Sequence, residues 1–193
     1  MSRASFEIVE QHTLSENWAL LKTTKLRLTF SDGTVSEQWR ETYDRGDGAV
    51  ILPCDPVRRH VLLGRQFRWP AAYNGEADPW LIEAAAGLLD DAEPEARIRD
   101  EAQEEIGLTL TDPTFLFDLY MSPGSVTERL HFFTATYGAQ EAQAKFGGLR
   151  EEGEEIEIMD VALDEALAMI RDGRIRDAKT VILLQHAALH VMP

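Results

Sequence analysis

Residues 87–108 read Gly87-Leu88-Leu89-Asp90-Asp91-Ala92-Glu93-Pro94-Glu95-Ala96-Arg97-Ile98-Arg99-Asp100-Glu101-Ala102-Gln103-Glu104-Glu105-Ile106-Gly107-Leu108. Proline suits a first helical turn and glycine the position past the last one. A helix is therefore predicted to start near Pro94 and stop at Gly107. On it Glu101 and Glu105 stand about 40° apart around the axis, and Glu104 lies about 60° to the other side of Glu101. Ile98 and Ala102 point away and can face a core. Each exposed like-charge pair at this spacing costs about a few tenths of a kcal/mol. Solvent offsets that cost on a surface helix, and a hard cation such as Mg²⁺ offsets it at a site. By themselves the three acids read as a solvated face, since glutamate is a common helix former. The bracketing glycines make a frame that a solvated face does not require.

Upstream of this helix the chain reads as strands. Phe6-Glu7-Ile8-Val9 is a short candidate, and Trp18 to Phe30 contains the alternation Leu26-Arg27-Leu28-Thr29-Phe30. Ser31-Asp32-Gly33 is a turn, followed by a polar partner strand from Thr34 to Tyr43. Ala49–Leu52 and His60–Leu63 suggest a buried hairpin, residues 70–79 a loop, and Trp80–Ala84 a short strand. Downstream, strands are predicted at Phe115–Tyr120, Leu130–Tyr137 and Ile156–Val161, and helices at Asp164–Arg171 and Ala178–His190. Residues 138–155 form a long polar connection, and such loops in compact domains are usually functional or disordered. Strands, one helix, strands and then helices lack regular βαβ alternation and suggest a mixed sheet with helices packed on it.

Composition narrows the partners. A net charge of -15 excludes broad binding to a nucleic-acid backbone. It leaves room for an anionic small molecule if a divalent cation lies between the two sets of charge. No apolar run approaches the roughly 18 residues of a membrane helix, and the first residues lack the apolar stretch of a secretory signal. Cys54 is the single cysteine, so a reducing cytoplasm is the expected compartment. His12, His60, His131, His186 and His190 form no metal-like spacing.

The segment resembles the Nudix box, G-x5-E-x7-R-E-U-x-E-E-x-G-U with U aliphatic. Gly87, Glu93, Glu101, Glu104, Glu105, Gly107 and Leu108 match. Six residues rather than seven separate Glu93 from Asp100, and Asp100 stands where the pattern has arginine. Arg97, one turn before Glu101, is the candidate substitute for that guanidinium. The likeness extends over roughly residues 14–184, through Glu41-Thr42-Tyr43-Asp44-Arg45-Gly46, Arg65-Gln66-Phe67-Arg68, Tyr120-Met121-Ser122-Pro123-Gly124, Thr127-Glu128 and Ile175-Arg176-Asp177-Ala178-Lys179-Thr180. These segments are similar to the nucleoside-diphosphate-sugar hydrolases, whose box shares the short spacing.

This resemblance implies an α/β fold, a Nudix-type α/β/α sandwich with a mixed sheet plus an N-terminal antiparallel β-sheet. Residues 1–46 would form that sheet, serving dimerisation and base recognition, and residues 47–193 the hydrolase domain. A homodimer with the N-terminal sheet exchanged is implied, with no nucleic-acid or membrane partner. The implied activity is Mg²⁺-dependent cleavage of a nucleoside-diphosphate sugar, GDP-mannose first, with Mn²⁺ as the alternative ion and ADP-ribose as the alternative substrate. Metal ligands by resemblance are the main-chain oxygen of Ala86 and the carboxylates of Glu101, Glu105 and Glu154. Glu154 is the first choice of base and Glu104 the second, with Glu155 and Glu152 as loop alternatives. Glu105 is grouped with these catalytic candidates.

The substrate contacts expected are Trp18, Arg40, Glu41, Arg68, Ala86, Gly87, Leu88, Glu128 and Lys179. A flat indole can stack on a base, and a guanidinium can bind phosphate through two donors. Each residue also has a plain reading: a strand tryptophan, a strand-end arginine, a lysine capping the last helix. A protein that binds a nucleotide metabolite without turnover is the rival from another class, and an acidic helix with no ligand is the third possibility.

Overall fold

A computed structural model describes residues 3–139, 141 and 144–193. The chain divides into two compact units. The first comprises Met1–Asp47 with Tyr120–Arg129. Its strands β1 (Ser5–Glu16), β2 (Leu20–Thr29) and β3 (Val35–Asp44) form an antiparallel sheet in that order. The β2–β3 turn closes where Asp32 accepts hydrogen bonds from the Thr34 N–H and hydroxyl, with Gly33 at φ 85°. Register shifts in β1 between Ile8 and Glu10 and between Thr13 and Ser15 mark bulges, which blunt an edge strand against further pairing. The second segment joins because Tyr43 N–H donates to Ser125 O and Thr127 N–H donates to Tyr43 O. A division of the chain at 46/47 alone leaves this segment out, since nothing local in residues 120–129 signals their partner strand.

The second unit, Gly48–Leu119 with Leu130–Pro193, holds an eight-stranded mixed sheet. Strand β4 is Gly48–Asp55 and β5 is His60–Phe67. They pair only at Cys54↔Val61 and Asp55↔His60, then diverge. After the short helix α1 (Trp69–Tyr73), the chain fills that fork with β6 (Trp80–Glu83) on β5 and β7 (Ala85–Leu88) on β4. The hairpin expected from sequence is thus a fork. The loop expected at 70–79 contains a helix whose Pro70 occupies the first turn, and the strand expected at 80–84 continues as β7.

Helix α2 spans Pro94–Ile106 and ends at Gly107, whose φ of 65° is the left-handed cap conformation. Strands β8 (Thr114–Tyr120) and β9 (Arg129–Thr136) follow, with β9 parallel to β4. The polar connection carries a two-residue strand β10 (Phe146–Gly147) and a 3-10 turn at Arg150–Glu152. Then come β11 (Ile156–Ala162), α3 (Leu163–Arg171) and α4 (Ala178–His186). The last predicted helix is α-helical from Ala178 to His186 and continues as a π-helix at Ala187–Val191.

Every residue of β4 is buried, as expected of a strand covered on both faces. Ala49 and Ile51 join a cluster with Ile98, Ala102 and Ile106 of α2. By strand alternation Val50 and Leu52 face the opposite side. Helix α4 also packs on β4, with Leu183 and Leu184 fully buried. A methylene buried in such a core stabilises by about 0.8 kcal/mol. The same packing holds the acidic edge of α2 against β7.

Candidate active site

Helix α2 turns its apolar stripe inward, and the carboxylates beside that stripe are carried into the protein. Glu101 and Glu105 are 6% and 3% exposed, so a solvated face does not describe them. Glu104 is half-buried and Asp100 exposed. The close approach of α2 to β7 depends on Gly87. A methyl group there would stand 1.7 Å from Glu101 Oε1. One residue earlier, Ala86 N–H donates to Glu105 Oε2 at 2.8 Å. Ala86, Gly87, Glu101 and Glu105 therefore meet at one place.

Burial and then the charge of Glu101 push the Glu105 carboxyl up to about 8, against the Ala86 hydrogen bond; Glu154 adds to the effect and Arg68 opposes it. Two buried carboxylates that resist sharing negative charge fit a hard divalent cation. Mg²⁺ commonly takes one or two carboxylates and completes its shell with water and phosphate oxygens. Among the described residues no group of three or more His, Cys, Asp or Glu side chains forms a complete metal cage. The protein-side donors that fit are thus Glu101, Glu105 and the Ala86 carbonyl, with Glu154 in electrostatic reach of Glu105.

Arg97 pairs with Glu101 and lies 3.9 Å from Glu104. Its Nε donates to Leu88 O at 2.9 Å. It bridges α2 to β7 across the acids, as a guanidinium in the box's usual arginine slot is expected to do. Asp100 points outward, so its negative charge is added to solvent rather than to the site.

The connection carrying Glu154 is pinned to the end of α2. Gly148 N–H donates to Glu104 O at 2.8 Å, and a methyl group on Gly147 would stand 2.1 Å from Glu105 O. Glu154 is half-buried and its Oε2 accepts from Leu149 N–H. Glu155 is exposed and paired with Arg150. Of the two, Glu154 is the one whose charge acts on Glu105; the side chain of Glu152 lies outside the described residues. The sequence reading missed the Gly147-Gly148 pair, although paired glycines beside a polar loop are a usable signal.

Arg68 and Lys179 meet at a residue that sequence reasoning passed over. Glu83, 2% exposed, accepts from Arg68 Nε at 2.9 Å and from Nη2 at 3.0 Å, and pairs with Lys179. Lys179 also contacts Asp177 at 2.9 Å. Asp177 caps α4 through Thr180 N–H, and Thr180 Oγ1 accepts from Ala84 N–H at 2.8 Å. A charged residue inside the pattern Trp80-Leu81-Ile82-Glu83-Ala84 was the available signal.

The other expected contacts lie in the first unit. Arg40 and Glu41 line an open groove of about 480 Å³ with Tyr120, Pro123, Gly124 and Ser125. Trp18 is 70% exposed and outside that lining. Glu128 is 6% exposed and paired with Arg45. In the second unit, burial pushes the Cys54 thiol up to about 11, which leaves it inert. No helix of the described residues is long and apolar enough to cross a membrane.

Known proteins resemble this chain in sequence and in fold. Residues 6–43 match the family described as GDP-mannose pyrophosphatase NudK N-terminal domain. A GDP-mannose pyrophosphatase of Pectobacterium atrosepticum is 49% identical, over 95% of this chain and 94% of its own. One from Cronobacter sakazakii is 47% identical over 95% of each chain, and one from Klebsiella pneumoniae is 45% identical over 94% and 91%. A solved structure described as an ADP compounds hydrolase superposes with a TM-score of 0.73 over 97% of this chain and 95% of its own, at 20% identity, and so shares the fold. The chain belongs to the Nudix hydrolase family, as a pyrophosphate-hydrolysing enzyme of the branch that holds these GDP-mannose pyrophosphatases.

Proposed function

We propose that this enzyme hydrolyses the diphosphate of a nucleoside-diphosphate sugar, with GDP-mannose as its substrate and GMP and mannose 1-phosphate as products. The observation that carries the reading is the buried Glu101–Glu105 pair on the Ala86–Gly87 backbone. When bound, Mg²⁺ or Mn²⁺ supplies charge neutralisation on the diphosphate and acidifies water. Glu101, Glu105 and Ala86 O would hold that ion, with Glu154, whose charge acts on Glu105, as the remaining candidate ligand. Arg97 keeps Glu101 and Glu104 in place. Arg68 and Lys179 orient the phosphates, and the Gly87–Leu88 backbone lies beside them.

Water adds to one phosphorus as the bridging P–O bond breaks. Glu154 takes the proton, with Glu104 as the other group in reach of that role. Trp18, Arg40, Glu41 and Glu128 are assigned to nucleoside and sugar recognition. The exposed apolar side chains Phe6, Ile8, Leu14 and Trp39 on the N-terminal sheet support a homodimer that exchanges this sheet.

A kinetic panel of GDP-mannose, ADP-ribose, UDP-glucose and ADP-glucose with Mg²⁺ or Mn²⁺ tests the reading. GDP-mannose among the poorest substrates overturns the substrate. Equal turnover by wild type and Glu105→Gln overturns the site.

A further inference from the structure

Glu83 is a buried acid whose two oxygens accept hydrogen bonds from two cations. Arg68 approaches it through Nε and Nη2, one edge of the guanidinium. That leaves the other edge, with Nη1, for a second planar or tetrahedral anion. Lys179 has three donors and spends two, on Glu83 and Asp177. Asp177 is itself fixed as the cap of α4, and Thr180 of the same turn holds Ala84 N–H. Glu83 ends β6, and Ala84 leads directly into Ala85–Leu88, the strand against which Glu101 and Glu105 lie.

Glu83 also competes for Arg68. The charge of Glu105 acts on Arg68 as well. Burial works to raise the Glu83 carboxyl, yet the charge of Lys179 and the paired Arg68 bring it down to about 2. It therefore stays ionised wherever the enzyme is folded and working.

We propose that Glu83 is a positioning residue for diphosphate binding: it touches no substrate, but aims the free donors of Arg68 and Lys179 at the phosphates. The proposal rests on the diphosphate-hydrolase reading above. Because it acts through ground-state orientation of two donors, its loss should fall mainly on KM. A residue that only supported the core would lower stability without that split.

The test is steady-state kinetics on the full chain with GDP-mannose and Mg²⁺ for wild type, Glu83→Gln, Arg68→Ala and the double variant. Glu83→Gln is expected to raise KM at least tenfold and change kcat less than threefold. The double variant is expected to have a KM well below the product of the two single effects, since both remove the same contact. An unchanged KM in Glu83→Gln, or fully multiplicative effects, overturns the proposal. If Glu83→Gln does not fold by circular dichroism, the pair Lys179→Met and Glu83→Gln/Lys179→Met replaces it; that double variant removes one charge of each sign. A higher KM in the double variant than in Lys179→Met supports action through Arg68, and equal values overturn it. Wild type that hydrolyses no nucleoside-diphosphate sugar would instead defeat the functional reading itself.

Discussion

The carboxylate of Glu101 lies so close to the main chain of Gly87 that a β-carbon there would come within 1.7 Å of Oε1 and 2.1 Å of Cδ. Glu101 has little room to retreat, being buried and paired with Arg97. Gly87→Ala is therefore expected to displace the carboxylate and weaken metal binding. We expect Mn²⁺ affinity by calorimetry to fall at least tenfold, with kcat/KM falling by about a hundredfold, on the scale of removing 2–3 kcal/mol of transition-state stabilisation. Unchanged Mn²⁺ affinity would mean that Glu101 is not a ligand.

Arg97 and Asp100 should behave oppositely. Arg97→Ala removes the contacts with Glu101, Glu104 and Leu88 O. Residues that orient metal ligands cost about 10- to 100-fold in affinity or activity when removed, and a loss in that range is expected for both. Asp100 is exposed, so Asp100→Ala should leave metal affinity and turnover within about twofold of wild type, as surface changes within ±0.5 kcal/mol do. Equal behaviour of the two variants in metal titrations would remove the case for Arg97 as the box guanidinium.

Gly147→Ala tests the attachment of the Glu154 segment to α2. The added methyl group would meet the main-chain oxygen of Glu105 at 2.1 Å, and backbone cannot move aside as a side-chain end can. The segment must shift, at a cost of about 1–3 kcal/mol in overpacking. We expect kcat to drop more than tenfold while Mn²⁺ affinity changes less, because Glu101 and Glu105 stay on α2. A variant with wild-type kcat would detach the glycine from any role in placing Glu154.

The Glu83 cluster sets an acid limit on stability. Against burial, the charge of Lys179 and the paired Arg68 hold its carboxyl down at about 2 in the folded protein, below the ordinary glutamate value of 4.5. A depressed acid stabilises fully above its unfolded value, and the contribution is lost as pH falls from about 4.5 to about 2. Glu83→Gln is expected to be less stable than wild type at pH 7 by on the order of 3 kcal/mol. In urea unfolding the gap should narrow steadily below pH 4.5. A gap that stays constant down to pH 2.5 would assign the loss to packing instead.

The sequence by itself determined the carboxylate helix, to the residue at Pro94 and at Gly107, because proline, glycine and a 3.6-residue repeat are local signals. It also determined the acidic constellation of Glu101, Glu104 and Glu105 and the family, since the box is contiguous. It did not determine that β4 and β5 fork around β6 and β7, because divergence of two strands is decided by what packs between them. Nor could it join Tyr120–Arg129 to the N-terminal sheet, a pairing made across about 80 residues. The helix alone put Arg97 one turn from Glu101; only the tertiary structure decided that Arg97 also reaches Leu88 O, that Asp100 faces solvent, and that Glu83 ties Arg68 to Lys179. The pairing of Glu83 comes from burial, which removes water as the competing partner and favours a buried charge that meets its counterion in the fold.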